Sequence, residues 1–174
     1  MYGRQKVDLT NDWNGRVQIL WGIGKPVNVD EGMMFSFTKI GKYMLENSEG
    51  WYFHCHNINS EKDAGKLNFK MLPEGDTGLK NESYGPVNEE QNIVFMNNKS
   101  LYSIHRTISG FPLESYSTDG GKSWTIPEPP KYETGIAIKT PGHAPEYGNV
   151  KTVNTCSGTT TTEENPLRAG ILHG

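Results

Sequence analysis

Two short constellations place side chains where they could do chemistry. The first is Glu90 with Arg106. If the runs Gln91–Met96 and Leu101–Arg106 pair antiparallel around Asn97-Asn98-Lys99-Ser100, residues whose numbers sum to about 197 face one another. Glu90 then lies beside Arg106 and Thr107. A guanidinium in such a place can hold a carboxylate through two parallel hydrogen bonds, which an ammonium cannot. The plainer reading is a solvated cross-strand ion pair that contributes little. Glu89 competes with Glu90 for the same role. The second constellation is Ser117-Thr118-Asp119-Gly120-Gly121-Lys122-Ser123-Trp124, which reads S-x-D-x-G-x-x-W. Its chemistry is that of a turn. Asp119 can accept from turn amides, Gly121 can take a positive φ, Ser117 can brace the loop and Trp124 can pack beneath it.

His54-Cys55-His56 sets two histidines on one face of a strand, but no further ligand stands at a recognised spacing. Ordinary strand residues are the better reading, so no metal and no cofactor is expected. Gly22 and Gly24 beside Trp21 make no nucleotide fingerprint, because the full glycine pattern and a following helix are both missing.

The elements that must position these residues are short strands. Val17–Trp21, Met33–Lys39, Trp51–His56, Leu67–Leu72, Gln91–Met96, Leu101–Thr107, Leu113–Ser117 and Ser123–Ile126 all read as β, and helical periodicity is nowhere sustained. Gly, Asn and Asp clusters punctuate them as in an up-and-down meander, with the last four runs forming one four-stranded sheet. A weaker copy of the turn motif, Ser60-Glu61-Lys62-Asp63-Ala64-Gly65, also precedes a strand. Asp63 and Asp119 lie about 56 positions apart, somewhat above the period of compact propeller blades. An apolar fraction of 34% fits such a turn-rich all-β chain, and a formal charge of −3 without a basic stripe argues against nucleic acid as a partner. No apolar run approaches the length of a membrane span, and Met1-Tyr2-Gly3-Arg4-Gln5-Lys6 carries no signal-type stretch.

Ser117 to Trp124 resembles the Asp box, or BNR repeat, of the sialidases (neuraminidases). The likeness extends to Trp21-Gly22-Ile23-Gly24-Lys25-Pro26, to Phe37-Thr38-Lys39-Ile40-Gly41-Lys42-Tyr43, to Leu72-Pro73-Glu74-Gly75-Asp76 and to Arg106-Thr107 ahead of the box. It covers most of residues 12 to 139. The resemblance implies a six-bladed β-propeller, of which residues 1–139 would supply about two four-stranded blades, and exo-α-sialidase chemistry on sialylated glycans. It implies that Arg106 binds the sialic acid carboxylate, and that Glu90 helps remove the proton of a tyrosine nucleophile, a poor nucleophile at its free pKa near ~10. The family reaction uses three arginines, an aspartate acid/base and a tyrosine–glutamate pair. Only Glu90 and Arg106 are matched here, so the isolated chain is expected to be an internal, inactive piece of the ring. Family members are often secreted, periplasmic or displayed at the cell surface. The alternative is a non-catalytic Asp-box propeller that binds glycan or protein.

Beyond residue 139 the composition changes: Phe, Trp and Met vanish and Thr159-Thr160-Thr161-Thr162 appears. Regrouping each codon's third base with the next two bases makes Pro141 to Gly148 compatible with P-R-A-C-P-R-I-W, and Thr152 to Gly158 compatible with N-G-K-Y-L-F-W. Those hidden readings resemble the family segment that follows the box. The expectation is a one-base slip near Lys139 or Thr140, leaving residues 140–174 as an unstructured tail without a packed core.

Overall fold

The structure, a computed structural model, describes residues 22, 24–40 and 47–140, and the backbone alone of 18–21, 146–149 and 155–158. It is all-β. The first sheet is an antiparallel meander of β1 (Gln18–Trp21), β2 (Val27–Asn28), β3 (Met33–Ile40), β4 (Ser48–Cys55) and β5 (Phe69–Leu72). β1 and β2 share one edge: β1 pairs with the later half of β3 and β2 with its start, so the sheet is four strands across. β3 and β4 pair along eight residues, from Met33 opposite Cys55 to Ile40 opposite Ser48. The second sheet runs β6 (Glu89–Phe95), β7 (Leu101–Arg106) and β8 (Leu113–Ser117), in that order.

The expected fourth strand at Ser123–Ile126 does not form as a regular strand. In its place an edge segment touches β8 at intervals: the Thr125 amide donates to the Tyr116 carbonyl at 2.9 Å, and Glu114 and Glu128 exchange amide bonds at 2.8 and 3.1 Å. Proline explains the interruption. Pro127, Pro129 and Pro130 carry no amide proton, so a continuous ladder cannot be built through them.

Alternation along the strands separates the faces. Met34, Tyr52 and Leu72 of the first sheet meet Ile93 and Leu101 of the second in a buried cluster, joined by Leu79 from the connection between them. Trp124 closes its edge by stacking on Tyr52 at 4.9 Å and 21°, a contact worth about 1 kcal/mol beyond its buried area. The other face of the first sheet is aromatic. Phe37 stacks on Phe53 at 4.3 Å, and buried Trp51 lies under the Lys39 ammonium at 3.6 Å while donating its indole proton to Glu49.

The two turns singled out in the sequence occupy equivalent places. Asp63 lies between β4 and β5, the third and fourth positions of the first sheet, and Asp119 lies between β8 and the edge segment, the same positions of the second. Asp63 caps a 3-10 turn by accepting from the Gly65 amide at 2.9 Å.

Within the stretch expected to lack structure, the backbone of β9 (Glu146–Asn149) pairs antiparallel with β10 (Thr155–Gly158). The remainder of 141–174, on which the expected unstructured tail falls, lies outside the described residues, as do residues 1–17. Among the described residues no helix is long and apolar enough to cross a membrane.

Candidate functional site

The hairpin that carries Glu90 and Arg106 closes through a three-residue loop, Asn97-Asn98-Lys99. Lys99 takes φ 65°, its amide donates to the Met96 carbonyl, and the Met96 amide donates to Ser100. This is a type I turn followed by a left-handed residue, one residue shorter than the four-residue turn expected from the sequence. Phe95 therefore faces Leu101 and Asn92 faces Ile104.

The ladder then slips again, because Glu89 and not Glu90 is the Cα partner of Arg106. Glu90 and Gln91 together oppose His105, which makes a β-bulge. Glu90 sits at φ 57°, a left-handed conformation that costs a non-glycine residue about 1–2 kcal/mol. The bulge has a chemical consequence. In a regular strand neighbouring side chains point to opposite faces, yet both carboxylates reach one guanidinium: Arg106 Nη1 lies 3.2 Å from Glu90 Oε1 and 3.9 Å from Glu89 Oε2. The side chains of Arg106, Glu90 and Glu89 are 18%, 32% and 6% exposed, so the cluster opens to solvent chiefly through Glu90.

Behind it runs a buried polar network that sequence reasoning missed. The Asn88 carbonyl accepts from Gln91 Nε2 at 2.9 Å, and its side-chain oxygen meets His105 Nε2 at 3.1 Å and accepts from the Asn81 amide. Thr38 Oγ1 donates to Gln91 Oε1 at 2.8 Å, and Ser36 Oγ donates to the Gln91 carbonyl at 2.6 Å. Burial pushes the His105 imidazole down to about 3, so it is neutral, and its Nδ1 has no hydrogen-bond partner. No local signal announces such a network. The run Gln91-Asn92-Ile93-Val94-Phe95-Met96 reads as an ordinary strand, and only the neighbouring sheet supplies Ser36 and Thr38 as partners for Gln91.

At the far end of β7, Ser117 pairs with Leu101, so the Asp-box turn lies about 17 Å from Arg106, the length of a six-residue strand. Ser117 Oγ donates to Asp119 Oδ1 at 2.8 Å and accepts from the Gly121 amide at 2.9 Å. Asp119 also accepts from the Ser123 amide at 3.0 and 3.1 Å and from the Ser123 hydroxyl at 2.6 Å. Partial burial works against its charge, but the Ser123 hydroxyl and amide, the Ser117 hydroxyl and the Lys122 backbone outweigh it and bring the carboxyl down to about 2. Gly121 stands at φ 89°, where a β-carbon would fall 3.0 Å from Met34 Cε, and Trp124 Nε1 donates to its carbonyl. The Ser117, Asp119 and Trp124 side chains are all engaged within the turn or its packing.

Compared with models of known protein families and with curated proteins, the chain matches none.

A recess of about 430 Å³ opens at the Asp-box end, not at Arg106, lined among others by Val29, Met34, His54, Leu72, Leu101 and Asp119. The His54 and His56 rings stand 3.9 Å apart there. Burial lowers the His54 pKa, and its Nε2 is engaged with the Glu31 carbonyl. Among the described residues no three His, Cys, Asp or Glu side chains converge as a metal site would need.

Proposed function

We propose that this chain contributes to an exo-α-sialidase-like glycoside hydrolase on a six-bladed β-propeller. What carries the reading is the cluster of Glu89, Glu90 and Arg106 at one end of β7, with the fully engaged Asp-box turn at the other. Two meander sheets packed face to face, with Asp turns at equivalent positions, support the propeller architecture. In this reading Arg106 takes the sialic acid carboxylate, displacing its present partners, and Glu90, the more exposed of the two acids, accepts the phenolic proton of a tyrosine nucleophile.

The test is a titration of the isotope-labelled chain with N-acetylneuraminic acid, followed on the Arg106 guanidinium signals. A saturable shift is expected, absent with an uncharged sugar and absent in Arg106→Lys. A signal indifferent to the acid overturns the reading. The second reading is a binding module, favoured by the recess at the Asp-box end. Saturable shifts around His54 and Leu72, with Arg106 silent, would select it.

A further inference from the structure

We infer that Gln91 is the positioning residue of the acidic cluster, so that the first sheet sets the geometry of a site carried by the second. The inference rests on the functional reading of Glu90 and Arg106 given above. Gln91 is fully buried, and its side chain crosses from the bulge into a slot in the first sheet. The slot exists because β4 has glycine at position 50. A β-carbon on Gly50 would lie 2.4 Å from Gln91 Nε2 and 2.6 Å from its Cδ and Cγ, so any larger residue takes the space that Gln91 fills. Once seated, Gln91 satisfies both ends of its amide, with Thr38 Oγ1 donating to Oε1 and Nε2 donating to the Asn88 carbonyl, while Ser36 holds its own carbonyl. All three partners are buried, and a buried amide left without them is costly, so the seat is strongly preferred.

The consequence falls on the preceding residue. With Gln91 directed into the first sheet and Asn88 bound to both Gln91 and His105, the chain is fixed one residue after and two residues before Glu90, and Glu90 closes the gap in its left-handed conformation. That conformation is what brings the Glu90 carboxylate to the guanidinium already faced by Glu89. Gln91 is fully buried, away from any site open to substrate. It acts through the backbone of Glu90.

The experiment uses the full chain and reads the conformation of Glu90 directly, through the one-bond Cα–Hα coupling, which separates positive from negative φ, and through the hindered rotation of the Arg106 guanidinium. Gln91→Met keeps the volume in the slot and removes both amide bonds. Thr38→Val, nearly isosteric, removes one and serves if the first variant does not fold. Gly50→Ala evicts Gln91 from the other side. Each variant is expected to move Glu90 to negative or averaged φ and to speed guanidinium rotation by roughly tenfold, the factor carried by one charge-assisted bond. The amides of Gly121 and Ser123 stay in place. Positive φ at Glu90 and an unchanged Arg106 in the folded variants overturn the inference. An unresponsive wild-type Arg106 in the sugar titration, with Glu90 at positive φ, instead removes the functional reading and leaves Gln91 as an organiser of an ion pair.

Discussion

Replacing Asp119 by alanine separates a turn brace from a binding group. The carboxylate accepts from one buried donor, the Ser117 hydroxyl, and from donors on Ser123 and the Lys122 backbone, both exposed residues. Water can replace the Ser123 and Lys122 bonds, so the main loss is at Ser117, whose hydroxyl also accepts from the buried Gly121 amide and depends on Asp119 for its orientation. Leaving one such group poorly satisfied costs about 1–2 kcal/mol. Urea denaturation at neutral pH should therefore show a midpoint lowered by about 1 M for a slope of ordinary size. The sign with pH follows from the depressed carboxyl. The folded group titrates at about 2 against 3.8 when free, so its stabilisation is complete above about pH 4 and fades as pH falls through about 2. The difference between wild type and Asp119→Ala should shrink over that window. Equal midpoints at neutral pH, or a gap that survives at pH 2, would refute the reasoning. So would an altered response of Arg106 to N-acetylneuraminic acid in the folded variant.

Two further outcomes follow from buried polar groups. His105 titrates at about 3 in the folded chain and near 6.5 when unfolded, so acidification from 6.5 toward 3 favours the unfolded state by up to about 1.4 kcal/mol per pH unit. His105→Gln keeps a donor for Asn88 and should flatten the stability profile in that range, as read by denaturation at several pH values. An unaltered slope would contradict the neutral, buried imidazole. Tyr52→Phe removes the hydroxyl that donates to Ser103 across the two sheets while retaining the ring under Trp124. Ser103 is fully buried, so a loss of about 1–2 kcal/mol in thermal or urea unfolding is expected, with Trp124 fluorescence of the native state preserved.

Local chemistry made much of this protein legible from its sequence. Alternation and turn residues are properties of a few neighbours, so the positions of β3, β4, β6, β7 and β8 follow from them to within a few residues. The Asp-box turn is likewise local: the hydrogen bonds made by its Ser117, Asp119 and Trp124 side chains all run between Ser117 and Trp124, and the sequence specifies them together. The site at the other end of β7 was only half legible. That Glu90 meets Arg106 could be argued from pairing alone. That Glu89 shares the same guanidinium could not, because it depends on a shorter hairpin loop and on a bulge, each of which shifts register by one residue. The bulge in turn depends on contacts between positions 36, 38 and 50 of one sheet and position 91 of the other. A fully buried glutamine in a strand has no local reason to leave the pleat. It does so because the facing sheet supplies hydrogen-bond partners and a glycine-sized gap, and only the folded arrangement brings that sheet within reach.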